Sequence, residues 1–262
     1  MNPHTLRQFI CLNLLGLSLM STGNATESVI LYGDDNYAPY SYVEDGHFKG
    51  MYIDILTAAA KKLAPEYAVE LRPIPWKRGL ADLEIGNSFA LFPPGLKLER
   101  NYIQPYSVVL YRETVVLFCN DKIMQTPRKA FPEDFIGLTV GVNAGFLLSD
   151  RLMQAAKQGM VKLDPAKGNE TNIEKLALKR IDCYASDRAA ALYSVKHLPP
   201  NFNRGEIILK EAVELSGEDT YIAYSAKNNP VYKSDFVAKM NTVLASMKKS
   251  GETTRIENAY LR

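Results

Sequence analysis

Histidine and cysteine, the residues that most often hold metals or act as nucleophiles, are scarce in this chain and poorly spaced for either task. The histidines are His4, His47 and His197, and the cysteines are Cys11, Cys119 and Cys183. No CxxC pair occurs, so a structural zinc site is not expected. No GxGxxG or GxxxxGK pattern is present to cradle a phosphate, and no GxSxG elbow to present a serine. No metal, cofactor or catalytic residue is therefore assigned. Chemistry by binding alone needs a cleft, and the rest of the sequence is read for the elements that would build one.

The chain has 262 residues, 47% hydrophobic and 23% charged, which suits one large or two ordinary globular domains. Thirty-one basic residues against 29 acidic ones give a net charge of +2. So even a balance offers no electrostatic footprint for nucleic acid. At the amino terminus, Arg7 precedes an apolar run from Phe9 to Met20, and then small and polar residues lead to Ala25. That layout is an export leader, and the run is too short for the roughly 20 residues of a membrane-spanning helix. Cleavage after Ala25 is expected, which leaves an exported mature protein. In an oxidising compartment Cys119 and Cys183 are able to pair, but two free buried thiols are the reading favoured here.

Hydrophobic periodicity then gives two runs of α/β alternation. The first comprises a strand at Val29–Tyr32, a hairpin turn at Glu44-Asp45-Gly46 and a helix over Asp54–Leu63. A strand at Val69–Ile74, a helix over Trp76–Ile85 stopped by Gly86 and a strand at Ser88–Phe92 complete it. After a strong strand at Tyr111–Cys119 the second run begins, with strands at Leu138–Val142, Val161–Leu163 and Ile181–Ala185. Helices are expected at Phe146–Gln158, Thr171–Arg180 and Asp187–Lys196. Further strands are read at Glu206–Leu209 and Thr220–Ser225, and the chain finishes helical around Phe236, Met240, Val243 and Met247. Alternation of this kind builds open sheets whose ligands sit at the carboxyl ends of the strands, so two such units face each other across a cleft.

Several segments, in order, carry a resemblance. They are Gly33-Asp34-Asp35-Asn36-Tyr37-Ala38-Pro39-Tyr40, Gly46 to Ile55, Leu98-Glu99-Arg100 followed by Pro105-Tyr106, Gly137 to Val142, and Ile181 to Asp187. With the terminal helix ending at Lys249-Ser250-Gly251, they make the chain similar to family 3 of the bacterial extracellular solute-binding proteins, receptors of amino-acid ABC importers. The resemblance implies an α/β, two-lobed clamshell of the type II periplasmic-binding-protein class with two crossover strands as hinge. Residues 1–25 would be the signal peptide, 26–112 and 222–262 lobe 1, and 113–221 lobe 2. The crossings are placed near Tyr111–Thr114 and Thr220–Tyr224.

The resemblance also implies a ligand site. Arg100 matches the arginine that grips a ligand carboxylate, a task suited to its planar fork. Asp187 matches the carboxylate that meets an ammonium group. Asp34 and Tyr37 fall in the first cleft loop, and Trp76 where an aromatic often lies over the ligand. Phe92 and Phe146 are counted as lining too. They mark departures: Phe92, Pro93 and Gly95 replace small hydroxyl residues before the arginine, and Phe146-Leu147-Leu148 replace polar ones after Gly145. Two hydrogen-bonding shelves thus read as apolar, which points to a ligand with one anionic end and an apolar or aromatic body.

The function expected is a monomeric receptor that captures a small anionic or zwitterionic solute for an inner-membrane ABC permease. Two alternatives stand beside it. One is a sensing partner of a membrane receptor. The other is a dehydratase of the same fold, for which Glu84, Glu99 and Asp187 are possible acids, although their spacing marks no catalytic pair.

Overall fold

The computed structural model describes residues 26–144, 149–198 and 207–261. The leader read over 1–25 and the Phe146-Leu147-Leu148 shelf fall outside them. The chain opens with β1 (Glu27–Asp34), followed by a small antiparallel sheet of β2 (Asn36–Tyr37), β3 (Ser41–Glu44) and β4 (His47–Lys49). Asp45 and Gly46 join β3 to β4 with φ of 52° and 75°, the doubly left-handed turn that Asp-Gly favours. Next comes α1 (Met51–Leu63), starting three residues earlier than its periodicity suggests. Gly50 makes the early start possible. Its φ is 128°, and a Cβ there would lie 2.4 Å from the Tyr40 carbonyl oxygen, so only glycine fits.

Then follow β5 (Tyr67–Ile74), α2 (Trp76–Ile85), β6 (Ala90–Phe92) and β7 (Ile103–Tyr106). Gly86 ends α2 in the left-handed conformation, φ 88°, and donates its N–H to the Asp82 carbonyl. The second half runs β8 (Tyr111–Cys119), β9 (Thr139–Asn143), α3 (Asp150–Lys157), β10 (Lys162–Ala166), α4 (Gly168–Ala177), β11 (Cys183–Asp187) and α5 (Arg188–Lys196). It closes with β12 (Lys210–Thr220), after which β13 (Ala223–Ser225), α6 (Lys233–Lys249) and α7 (Glu252–Leu261) complete the chain. No strand forms over 207–209, the described part of the strand expected at Glu206–Leu209, and β12 begins only at Lys210. The single strand expected over Thr220–Ser225 is split between the end of β12 and β13.

Two five-stranded sheets result, ordered β5-β1-β6-β13-β7 and β10-β9-β11-β8-β12. In the first, β1 lies parallel to β5 and β6 while β13 runs antiparallel to β6 and β7. The second repeats that logic, with β9 parallel to β10 and β11 and with β8 antiparallel to β11 and β12. The chain leaves the first sheet after β7, enters the second at β8, and returns from β12 to β13. At this passage the Leu110 N–H bonds the Thr220 carbonyl at 2.8 Å, and Gly95 bridges to Thr220.

Each sheet is buried on both faces. Leu31, Met51, Leu56, Phe236 and Met240 pack β1 against α1 and α6. On the opposite face, Leu83 of α2 meets Ile74, Leu91 and Ile103. Alternation along β8 sends Leu117 and Cys119 toward α3, and Val116 and Phe118 toward α4 and α5. The antiparallel register sets Cys183 opposite Cys119, and their sulfurs are bonded, with Cα atoms 4.0 Å apart. The expected free thiols are thus corrected: neighbouring strands bring both side chains to the same face of the sheet.

Candidate functional site

A cavity of about 630 Å³ opens where the carboxyl ends of the strands of the two sheets meet. From the first sheet it receives Asp34 at the end of β1, Tyr37 in the loop beyond, Trp76 at the start of α2, and Pro93, Gly95, Lys97 and Arg100 after β6. The second sheet brings Asn143 from the end of β9, Asn169 from the first turn of α4, and Ser186 and Asp187 from the end of β11. Between them the crossing strands add Glu113 and Thr114 of β8 with Ser216, Glu218 and Thr220 of β12. Strand ends are where backbone leaves the ladder and side chains can converge, so open sheets place their ligands there.

Arg100 is half-buried and gives an Nη1 hydrogen bond to the Gly95 carbonyl at 3.0 Å. Among the described residues, no carboxylate lies within 4 Å of it or of Lys97. Trp76 is half-buried, one side packed toward Ile74 and Leu91 and the rest on the cavity. The buried positions of α2 are Gly79 and Leu83. A Cβ on Gly79 would come 2.7 Å from Leu91, so the glycine lets the helix sit close and holds Trp76 at the rim.

Asp187 caps α5, its Oδ1 accepting the Ala190 N–H at 2.9 Å and the Tyr40 hydroxyl at 2.7 Å. Burial pushes its carboxyl above the usual range, and those hydrogen bonds oppose the shift. Asp34, whose Oδ1 accepts the Asn36 N–H, is likewise raised by burial. Glu113 is the most perturbed acid of the cavity. Its Oε2 accepts Tyr37 at 2.5 Å and its Oε1 accepts Tyr52 at 2.7 Å. Desolvation outweighs both bonds, and with Asp187 and Glu218 nearby the carboxyl is pushed up to about 7. The same burial and negative neighbours raise Tyr37, Tyr40 and Tyr52 well above the ordinary phenol value, so all three remain donors.

Of the residues singled out by sequence, Asp34, Tyr37, Trp76, Arg100 and Asp187 therefore share one cavity. Phe146 lies outside the described residues. Phe92 does not line the cavity, and that expectation is corrected. It is wholly buried in β6, the middle strand, its ring stacked at 6.4 Å on Phe48 and filling the space over Gly33. Pro93, the next residue, takes the cavity side. Pro93 and Gly95 of the same segment do line the cavity, beside charged, hydroxyl and amide side chains among the described residues. Sequence reasoning missed Glu113, Lys97, Glu218, Asn143 and Asn169. A signal existed for Asn143 and Asn169, which sit where β9 ends and α4 begins, but none for Glu113, which reads as the outward acid of an alternating strand.

The model of the bacterial extracellular solute-binding proteins, family 3, matches residues 29–262, and the chain belongs to that family. It is a solute-binding receptor that acts outside the cytoplasm. The L-cystine solute receptor of Neisseria gonorrhoeae, in its unliganded open conformation, is similar at 20% identity and a TM-score of 0.71, with 91% of this chain and 94% of that one covered. Substrate binding domain 2 of Lactococcus lactis GlnP, also open, is similar at 17% identity and a TM-score of 0.71, covering 90% and 96%. A histidine kinase sensor domain is similar at 18% identity and a TM-score of 0.59, covering 90% and 96%. These likenesses establish the type II periplasmic-binding-protein fold. No curated protein matches this sequence.

Proposed function

We propose that the receptor captures a zwitterionic solute of amino-acid type between lobe 1 (26–112 and 222–262) and lobe 2 (113–221). It works as a monomer in the periplasm, after loss of residues 1–25, and hands its ligand to an inner-membrane ABC permease. The observation that carries this reading is one pair of groups. The Arg100 guanidinium and the Asp187 carboxylate reach the same cavity from opposite sheets, and neither has an ionic partner among the described residues. A ligand with a carboxylate at one end and an ammonium at the other satisfies both at once. Contacts that exist only when both lobes touch one molecule are what drives a hinge to close. One of the similar proteins is an L-cystine receptor, which agrees with that ligand class.

A binding role without chemistry is favoured over the dehydratase: of its three candidate acids, Glu84 and Glu99 are exposed and do not line the cavity, and Asp187, which does, is engaged as the cap of α5 and by Tyr40. Mass spectrometry of small molecules released from the purified protein, followed by calorimetry with each one, tests the proposal. An amino-acid-type zwitterion should bind with one-to-one stoichiometry and change the emission of Trp76, the only tryptophan. Conversion of the bound molecule to a product, or binding confined to solutes without a carboxylate, would refute it.

A further inference from the structure

We propose that Glu113 is a specificity-determining residue of this cavity: its carboxylate receives a second cationic group, so the preferred solute carries a positive side chain as well as an α-ammonium. The inference rests on the receptor reading above and names the substrate class for that site.

The charges on the walls do not balance. Asp34, Glu113, Asp187 and Glu218 face Lys97 and Arg100. Once a ligand carboxylate occupies Arg100 and its ammonium meets Asp187, the remaining acids still outnumber Lys97. Glu113 is the best placed of them to act on a ligand. It stands on β8, the crossing strand, and so belongs equally to the space on either side. Two phenols from the first half hold it, Tyr37 through Oε2 and Tyr52 through Oε1, with Tyr52 itself fixed by Thr220 at 2.7 Å. A carboxylate has about four acceptor sites, so two donors leave roughly half its capacity open. Neither phenol supplies positive charge, and no cation lies within 4 Å among the described residues. A buried carboxylate without a counter-charge is costly unless it takes up a proton or gains a cation.

Those two ways out predict a signature that a structural latch would lack. The titratable groups that interact with Glu113 are Tyr37, Tyr40, Tyr52, Tyr111, Asp187 and Glu218, all phenols or acids. With its carboxyl near 7, the free receptor at neutral pH holds a proton there for part of the time. A cationic group arriving at Glu113 favours the carboxylate and expels that proton. A neutral ligand side chain does not.

Calorimetry at pH 7 in two buffers of different ionisation enthalpy is the test, with L-arginine, L-lysine and L-ornithine set against L-glutamine and L-leucine. The cationic amino acids should bind at least tenfold tighter than the neutral ones and release a fraction of a proton. Glu113→Gln keeps the shape and one acceptor oxygen, and offers the other tyrosine hydroxyl an amide N–H to accept. It should weaken the cationic ligands roughly 10- to 100-fold, the range of a charged hydrogen bond, and abolish proton release. Neutral ligands should change less than about threefold. Equal weakening of both sets would make Glu113 a structural latch and overturn the inference. Should the variant fail to fold, proton release by the wild-type protein decides alone: none with bound arginine, lysine or ornithine overturns the inference. Neutral amino acids binding as tightly as cationic ones would overturn it while leaving the receptor reading intact. No binding by any of the five would overturn the inference, and the receptor reading would then stand or fall on the zwitterion sought by mass spectrometry.

Discussion

On the second sheet's side of the cavity, the polar residues are tied to one another. Asn143 donates to Asn169 at 2.5 Å, Asn172 donates to Asn143 at 2.9 Å, and the Tyr184 hydroxyl reaches Asn169 at 2.6 Å. Asn169 in turn holds Ser194 of α5 at 2.8 Å, and Asp187 is locked by its cap and by Tyr40. On the first sheet's side, Arg100 has a backbone carbonyl for a partner, Trp76 sits at a rim, and Lys97 meets no carboxylate among the described residues. One side is a preorganised platform and the other a charged grip. Preorganised groups lose little order on binding, whereas the grip must be ordered by the ligand. The difference teaches where affinity and where stability reside: substitutions at Arg100 or Lys97 should act on binding, those in the cluster of Asn143, Asn169 and Tyr184 on the fold, and Asp187 serves both.

The largest effect expected is on the grip. Arg100→Ala should cost about 2–5 kcal/mol of binding, roughly 30- to several-thousand-fold in affinity, with thermal stability nearly unchanged. Calorimetry beside a melting curve checks both halves of that statement, and a large loss of stability would break the comparison. The reverse is expected for the disulfide beneath the platform. Cys119 and Cys183 are 64 residues apart in sequence, and replacing both by alanine should cost about 4 kcal/mol of stability by loop-closure entropy. Denaturant titration measures it, and ligand affinity should stay within about threefold of wild type.

Most of the scaffold was legible in sequence, and the reasons are local. The span Trp76–Ile85 with its Gly86 stop, and Tyr111–Cys119 as a strand, match α2 and β8 to the residue. Periodicity, a left-handed glycine and a β-branched apolar run each act over a few residues. By contrast β12 was missed, because it is acidic, buries only Leu215 and Thr220, and shifts register twice against β8. Phe92 was misread because a three-residue strand shows no alternation, so nothing local tells core from cavity. Glu113 was invisible for a different reason. Its partners Tyr37 and Tyr52 lie 76 and 61 residues away, and only the tertiary fold brings them to it.

Smaller effects sharpen the picture of the crossing strands and the platform. Glu113 binds its proton more tightly in the folded chain, near 7, than at its ordinary value of 4.5. Between those two pH values the folded state holds more protons than the unfolded one, so stability should fall as pH rises through that window. In the ligand-free protein this contributes on the order of 1–3 kcal/mol, and Glu113→Gln should flatten that part of the profile. A wild-type profile no steeper than the variant's would show that Glu113 is not held as described. Asn169→Ala should cost about 1–3 kcal/mol of stability, since Asn143, Tyr184 and Ser194 lose a shared partner. Denaturation curves test it; a loss of affinity without loss of stability would mean that Asn169 belongs to the grip.

The crystal structure of the complex with the amino-acid-type ligand that calorimetry identifies tests the central claim most directly. The account predicts the ligand between the two sheets, its carboxylate on the Arg100 guanidinium and its ammonium on Asp187, with Trp76 against its body. A ligand seated elsewhere, or one in this cavity whose carboxylate turns away from Arg100, would contradict it.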